Sequence, residues 1–372
     1  MKTKYTDYNN CLVNVSASIL KYFGVDWDKQ GISEIDRQIV GKKKVVIMLL
    51  DGMGINILNH NLDKNSFLNT HITKKINSVF PPTTVAATTS VMTGLYPIEH
   101  GWLGWHLYLN KKAPSLVLFR NKDYYKDKPY HKLKVNDCLG YKSIIDMVSE
   151  KGVKGYEIYP SFKEDGYKTF KDAMDHLQND ILSKDETSLT YFYWDEPDAT
   201  IHEKGTTDTH VKSLMHYFND RIEDLNKKLD KDTIVFVIAD HGLIDVEPIC
   251  INAFKDLKRM LRKKMSGEGR AAIFYVKEKR LKDFEVLFDY YFDEWFDLYS
   301  KEEVLKNNIY GDVNLKHHES LEYSLGDYVA IATDKYFFTH DLSHVFKGHH
   351  AGGTKEETEV PLIILGGNQN EN

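Results

Sequence analysis

The sequence predicts an α/β fold with its chemistry gathered at the carboxyl edge of a central sheet. Three observations carry that prediction. Unbroken apolar runs stop abruptly at acids or histidine in VVIMLLDGMG (45–54), LTYFYWDEPD (189–198) and TIVFVIADHG (233–242). Such a run fits a strand buried on both faces, with its polar residue at the carboxyl end. Between the last two, Val211, Leu214, Met215, Phe218, Ile222, Leu225 and Leu229 form one apolar stripe at helical spacing. Finally, VPLIILGG (360–367) reads as a closing strand. Strand, helix, strand describes an α/β layer, and ligands in such folds bind beyond the carboxyl ends of the strands.

The remaining segments follow in chain order. Residues 1–40 read as a helical lead-in, with LVNVSASILKYFGV apolar at roughly helical spacing. Residues 101–135 are rich in Trp, Tyr and Lys, and either cover the site or decorate an edge. Residues 252–335 hold RAAIFYV, an aromatic-rich helix around FEVLFDYYFDEWF, and DYVAIA. This stretch is expected to form a small inserted α+β subdomain, leaving 1–251 and 336–372 as the catalytic core.

Composition narrows the class. The 372 residues are 42% hydrophobic and 12% aromatic, enough for a large α/β core. A net charge of −6, with lysines and glutamates scattered, gives no general attraction to nucleic acid polymers or anionic membranes. Cys11, Cys138 and Cys250 share no close spacing, so neither a disulfide framework nor a cysteine metal site is expected. The N-terminus lacks a long apolar core after its lysines, and no window approaches membrane-spanning length. A cytoplasmic location is the expectation; the oligomeric state is not legible.

Six threonines and serines (83, 84, 88, 89, 90 and 93) crowd FPPTTVAATTSVMTGLYP. A threonine becomes a nucleophile only with help in losing its proton. The acids and histidines at the strand ends are the candidates for that help: Asp51, Asp198, His202, Asp240, His241 and His350. Singly, each has an ordinary explanation, since an Asp at a strand end caps the next helix and a lone His hydrogen-bonds in its loop. Jointly they suggest metal. Asp198 and His202 are four apart, which puts both on one helix face. Mixed carboxylate and imidazole donors favour zinc, then manganese or iron.

The segments DGMG, FPPTTVAATTSVMTGLYPIEHG, EPDATIHEKG, ADHG and GHHAGGTKEETEVPLII occur in an order that resembles the alkaline phosphatase superfamily, specifically its nucleotide pyrophosphatase/phosphodiesterase branch. The resemblance implies a three-layer α/β/α core with a mostly parallel sheet and two zinc ions, with manganese the second choice. By the motif match, Asp198, His202 and His350 would hold one ion. Asp51, Asp240 and His241 would hold the other, together with a nucleophilic Thr. The family register places that nucleophile nine residues before Thr93, at Thr84, with Thr83 the runner-up. It also selects His350 over His349.

The chemistry implied is hydrolysis of a small phosphoester or pyrophosphate through a phosphothreonine. The family register further leads us to expect an Asn three residues after the nucleophile, where this chain has Ala87. That departure leaves diester, monoester and phosphonate substrates open. A phosphonate hydrolase or phosphomonoesterase is the nearest alternative, and a non-catalytic binding protein the one of a different class. Trp102, Trp105, His106 and Tyr108 either stack on a substrate or are buried as strand residues. Arg270, Lys347, His210 and His216 are expected at the surface.

Overall fold

The computed structural model describes residues 6–343 and 345–366. The first five residues of the lead-in and Gly367 of the closing run lie outside them. Six strands make the central sheet: β1 (Lys44–Leu50), β2 (Ile72–Asn77), β3 (Lys154–Ile158), β4 (Ser188–Trp194), β5 (Thr233–Ile238) and β6 (Glu359–Leu365). Their spatial order is β2-β6-β5-β1-β4-β3. Every residue of β1, β4 and β5 is buried, as their unbroken apolar sequences require.

β1 pairs in parallel with both β4 and β5, and β3 pairs in parallel with β4. The closing strand departs from this pattern, because β6 runs antiparallel to β5 and to β2. The sheet is therefore mixed on one side. Register is what positions the site. Leu49 lies opposite Ile238 and Leu50 opposite Trp194, so the chain leaves all three strands at one edge. Two residues past the Leu49–Ile238 pair stand Asp51 and Asp240.

Two groups of helices pack with the sheet. α1 (Leu12–Tyr22) lies on α2 (Thr84–Thr93), while α4 (Thr209–Asn226) lies on the short helices Ile55–Asn61 and Phe67–Thr70. α4 buries Val211, Met215, Phe218, Ile222 and Leu225, members of the apolar stripe read from the sequence. α3 (Asp198–Lys204) follows β4 after a short turn. No helix of the described residues is long and apolar enough to cross a membrane.

A second sheet of eight strands runs in the order Phe296–Ser300, Tyr328–Ala332, Ala271–Val276, Leu261–Gly267, His106–Leu107, Leu116–Val117, Lys122–Asp123 and Lys128–Pro129. It thus joins the aromatic-rich 101–135 region to strands of 252–335. Strand alternation splits its packing between two faces. Ala271, Ile273 and Tyr275 face one cluster, which includes Trp102, Leu103 and Tyr299. Ala272, Phe274 and Val276 face the other, where helix Leu281–Phe292 inserts Phe284, Phe288 and Phe292 at four-residue spacing.

Candidate metal centre

The carboxyl edge of the central sheet delivers its polar side chains to one place. Asp51 follows β1, and Asp240 and His241 follow β5. Asp198 opens α3 with His202 one turn later, and Asp198 Oδ1 lies 3.3 Å from His202 Nε2. His350 follows the short strand Gly348–His349, which pairs with Ile244–Asp245. It places Nε2 3.8 Å from the same Asp198 oxygen, and its ring stacks on His241 at 3.7 Å and 19°. The ligand atoms of Asp51, Asp240 and His241 lie within 4.8 Å of one another, as do those of Asp198, His241 and His350, and those of His202, His349 and His350.

Thr84 is the first residue of α2. Its Oγ1 lies 3.2 Å from Asp51 Oδ2, 3.4 Å from Asp51 Oδ1 and 3.3 Å from His241 Nε2. Tyr193, on β4, donates its hydroxyl to Asp51 Oδ2. Asp240 Oδ1 accepts from the Gly52 and His241 amides, each at 3.0 Å. Burial, and next the charge of Asp51, push the Asp240 carboxyl well above the usual carboxylate range. Burial alone would depress His241, but Asp240 and Asp51 outweigh it and lift that imidazole to about 10. Negative charge is thus packed here faster than the protein's own cations neutralise it.

These residues fit divalent ions on two observations. Asp240 Oδ2 is buried with no hydrogen-bond partner among the described residues, a costly state for a carboxylate, and Asp198 Oδ1 faces the His202 and His350 imidazoles. And each candidate imidazole is held from behind. Nδ1–H of His202 donates to Gly348 O at 2.8 Å, that of His241 to Gly242 O at 3.1 Å, and that of His350 to Pro82 O at 3.1 Å. Fixing Nδ1–H turns the lone pair of Nε2 inward, which is how metal-ligating histidines are oriented.

The seven residues singled out from the sequence, Asp51, Thr84, Asp198, His202, Asp240, His241 and His350, therefore stand together, and His241 lies within reach of both Asp240 and Asp198. Thr83 points elsewhere, donating its hydroxyl to Glu268 at 2.8 Å. His349 is buried beside His202 and His350, and its Nδ1 has no partner among the described residues. Ala87 is fully buried in the main apolar core. One expectation needs correction. Arg270 is not a surface residue, for it is completely buried in an ion pair with Glu357. Trp102 and Tyr108 are packing residues of the second sheet, and Trp102 Nε1 donates to Leu139 O at 2.8 Å. Lys347, His210 and His216 are exposed as expected.

Two nearby residues were missed. Tyr193 could have been read as the last inward-facing tyrosine of TYFYWD, two positions before the acid. Glu268 carried no local signal. It is buried in the turn between strands Leu261–Gly267 and Ala271–Val276, and burial lifts its carboxyl to about 7.

The acids, imidazoles and threonine gathered at the carboxyl edge of this α/β sheet agree with the resemblance to the alkaline phosphatase superfamily. The model of the type I phosphodiesterase / nucleotide pyrophosphatase family matches residues 45–354, and the chain belongs to that family of phosphoric ester hydrolases. Among solved structures, it is similar to murine ectonucleotide pyrophosphatase/phosphodiesterase 5, in an inactive form in complex with AMP, at 20% identity and a TM-score of 0.62. The match covers 86% of this chain and 87% of that one. The human ectonucleotide pyrophosphatase/phosphodiesterase 5 matches at 15% identity and a TM-score of 0.63, over 87% and 88% of the two chains. These likenesses show that the fold is shared.

Proposed function

We propose that the protein is a two-metal phosphodiesterase or nucleotide pyrophosphatase that works through a phosphothreonine on Thr84. One observation carries the reading: the Thr84 hydroxyl lies within 3.2–3.4 Å of both Asp51 and His241 at the start of a helix. Asp51, Asp240, His241 and Thr84 would hold one ion, and Asp198, His202 and His350 the other. Bound there, divalent ions, zinc by the donor set and manganese as second choice, supply charge that lowers the pKa of the Thr84 hydroxyl and offsets that of the phosphoryl oxygens.

The protein's own groups do the rest. Asp51 and His241 orient Thr84 Oγ1, and Tyr193 holds Asp51 in place. Thr84 Oγ1 gives up its proton to solvent and attacks phosphorus, the bond from phosphorus to the leaving oxygen breaks, and the leaving oxygen departs with that electron pair and takes up a proton from solvent, as an alcohol or nucleotide. Water then displaces Thr84, releasing the phosphate product and restoring the hydroxyl. The Thr83 side chain makes no capping bond to α2, which leaves the N–H groups of its first turn to a phosphoryl oxygen.

The substrate class is a small phosphoester or pyrophosphate. The division into a core and an insert at 252–335 belongs to the same proposal; the second sheet supports an insert that also recruits strands of 106–129. The test is turnover of a nitrophenyl nucleotide diester beside the nitrophenyl monoester and a phosphonate, on protein stripped of metal and reloaded with zinc or manganese. Diester turnover restored by zinc and lost in Thr84→Ala is the expected result. Preference for the phosphonate or monoester would reassign the substrate, and no turnover of any of the three would overturn the reading.

A further inference from the structure

Thr83 occupies the N-cap position of α2 with an extended backbone, φ −140° and ψ 147°. A threonine there ordinarily turns its hydroxyl onto the amides of the first helical turn. This one does not. Its hydroxyl donates to Glu268 Oε1 at 2.8 Å, and the same oxygen accepts from the Trp105 amide at 2.7 Å. Glu268 comes from the second sheet, 185 residues away from Thr83. Its carboxylate thus ties the start of the nucleophile's helix to the aromatic segment and to the turn between two strands of that sheet.

The approach is built into the backbone. Gly104, at φ +157°, would place a Cβ 3.0 Å from the carbonyl carbon of Gly267. Gly267 itself has φ +87°. Only glycine lets those two chains come close enough for Trp105 N–H and Thr83 to share one carboxylate oxygen. Glu268 is also buried, and a buried carboxylate is retained at a cost unless its bonds serve the fold or the site.

We propose that Glu268 is a positioning residue for the reaction at Thr84. By keeping the Thr83 hydroxyl off its own helix, it leaves the first-turn amides of α2 open to a tetrahedral phosphoryl or vanadate oxygen and fixes the backbone from which Thr84 projects. The inference rests on the reading of Thr84 as the attacking hydroxyl. Without Glu268, the freed Thr83 hydroxyl rotates to cap the helix and occupies the amides that the oxyanion would use.

That competition gives a signature that loss of packing would not. Glu268→Ala lowers kcat about 10- to 100-fold with a smaller change in KM, and weakens inorganic phosphate binding measured by calorimetry on the metal-loaded protein. Glu268→Gln keeps an oxygen for both donors and stays within a few-fold of wild type on the same scale. Adding Thr83→Val to Glu268→Ala recovers part of both losses, because valine has the shape of threonine and cannot cap. A double variant as weak as Glu268→Ala or weaker, a Gln variant as poor as the Ala variant, or unchanged phosphate binding in Glu268→Ala would each overturn the proposal. If Glu268→Ala does not fold, Glu268→Met, which keeps the volume but offers no carboxylate oxygen to Thr83 or Trp105, takes its place with the same expected losses and the same partial recovery on adding Thr83→Val. Thr84→Ala in the same assay separates the two readings. Retained turnover there removes Thr84 as nucleophile, whereas the phosphate affinities of the Glu268 series need no turnover and still decide whether the amides were opened.

Discussion

Arg270 and Glu357 form a two-bond ion pair, Nε to Oε1 at 2.6 Å and Nη2 to Oε2 at 2.8 Å, with neither side chain exposed. Glu357 also accepts from the Gly352 amide at 2.7 Å and from the Thr354 hydroxyl at 2.8 Å, and its carbonyl accepts from Gly242 at 2.9 Å. One glutamate therefore fastens two of the segments that present candidate ligands, 240–242 and 350–354, and Arg270 fastens that glutamate to the second sheet. Arg270→Met strands a buried carboxylate and is expected to reduce unfolding free energy by about 3–5 kcal/mol. Urea melts measure this. A second change, Glu357→Gln, should restore part of the loss; if the pair of substitutions is simply additive, the two residues do not act as one clamp.

Thr84→Ala is expected to abolish turnover while metal content, measured by atomic emission, stays close to wild type. In the proposed centre the hydroxyl would be one donor among several, whereas the neighbouring Thr83 hydroxyl is turned away to Glu268. Thr84→Ser should retain measurable activity. Unchanged turnover in the Ala variant would remove the nucleophile assignment.

Asp240→Asn should have opposite effects with and without metal. In the stripped protein it relieves the burial and repulsion that push the Asp240 carboxyl up against Asp51, so the variant is expected to melt higher than wild type. In the zinc-loaded protein it removes a charged donor, so the variant melts lower than wild type. Thermal melts in chelator and in zinc check the reversal, and the same sign in both conditions would count against a metal role for Asp240.

Ala87→Asn is expected to destabilise the protein by about 1–3 kcal/mol through burial of an unpaired amide, without changing the ratio of diester to monoester rates. A raised diester rate in a stable variant would show that position 87 reaches the phosphoryl group after all.

His100 gives a pH dependence away from the metal centre. It accepts from the Trp102 amide at Nδ1, 3.0 Å, and contacts Ser90 Oγ at Nε2, 2.9 Å, so its neutral tautomer is set. Burial, with a smaller push from His318, drops it to about 3. The unfolded chain takes up this proton near the ordinary imidazole value of about 6.5, while the folded chain resists it down to about 3. Protons therefore favour unfolding across that window: stability falls as pH is lowered through it, by at most about 1.4 kcal/mol per pH unit from this group. His100→Gln should flatten the change in urea midpoint between pH 7 and pH 5 by that contribution. Parallel dependences in the two proteins would refute it.

What was legible in the sequence follows from what is local. Strands buried on both faces announce themselves as apolar runs, and their carboxyl ends are where the chain must turn polar, so Asp51, Asp198 and Asp240 could be found one strand at a time. The helical stripe of α4 was equally plain. Direction was not: β6 has the composition of its parallel neighbours and runs the other way, because nothing in a strand's own residues records the sense of its partner. Arg270 precedes an apolar strand and looks like a surface charge until Glu357, 87 residues on, is folded against it. Glu268 was invisible for the same reason. Ala87, where the spacing carried over from relatives leads to an expected Asn, is fully buried on the Thr84–Thr93 helix.

His350 reaches back to Pro82 across 268 residues, and β6, only a few residues beyond it, fills the place between β5 and β2. A chain emerging from the ribosome thus presents its acids, its threonine and the bare flank of β5 well before the strand that covers that flank. At about 5–20 residues per second, the wait lasts several seconds. During it the last imidazole is missing and an unpaired strand edge is open to neighbours. Synthesis of residues 348–365 closes both gaps together. A chain cut before residue 350 would therefore lack both the His350 imidazole and the strand that lies between β5 and β2.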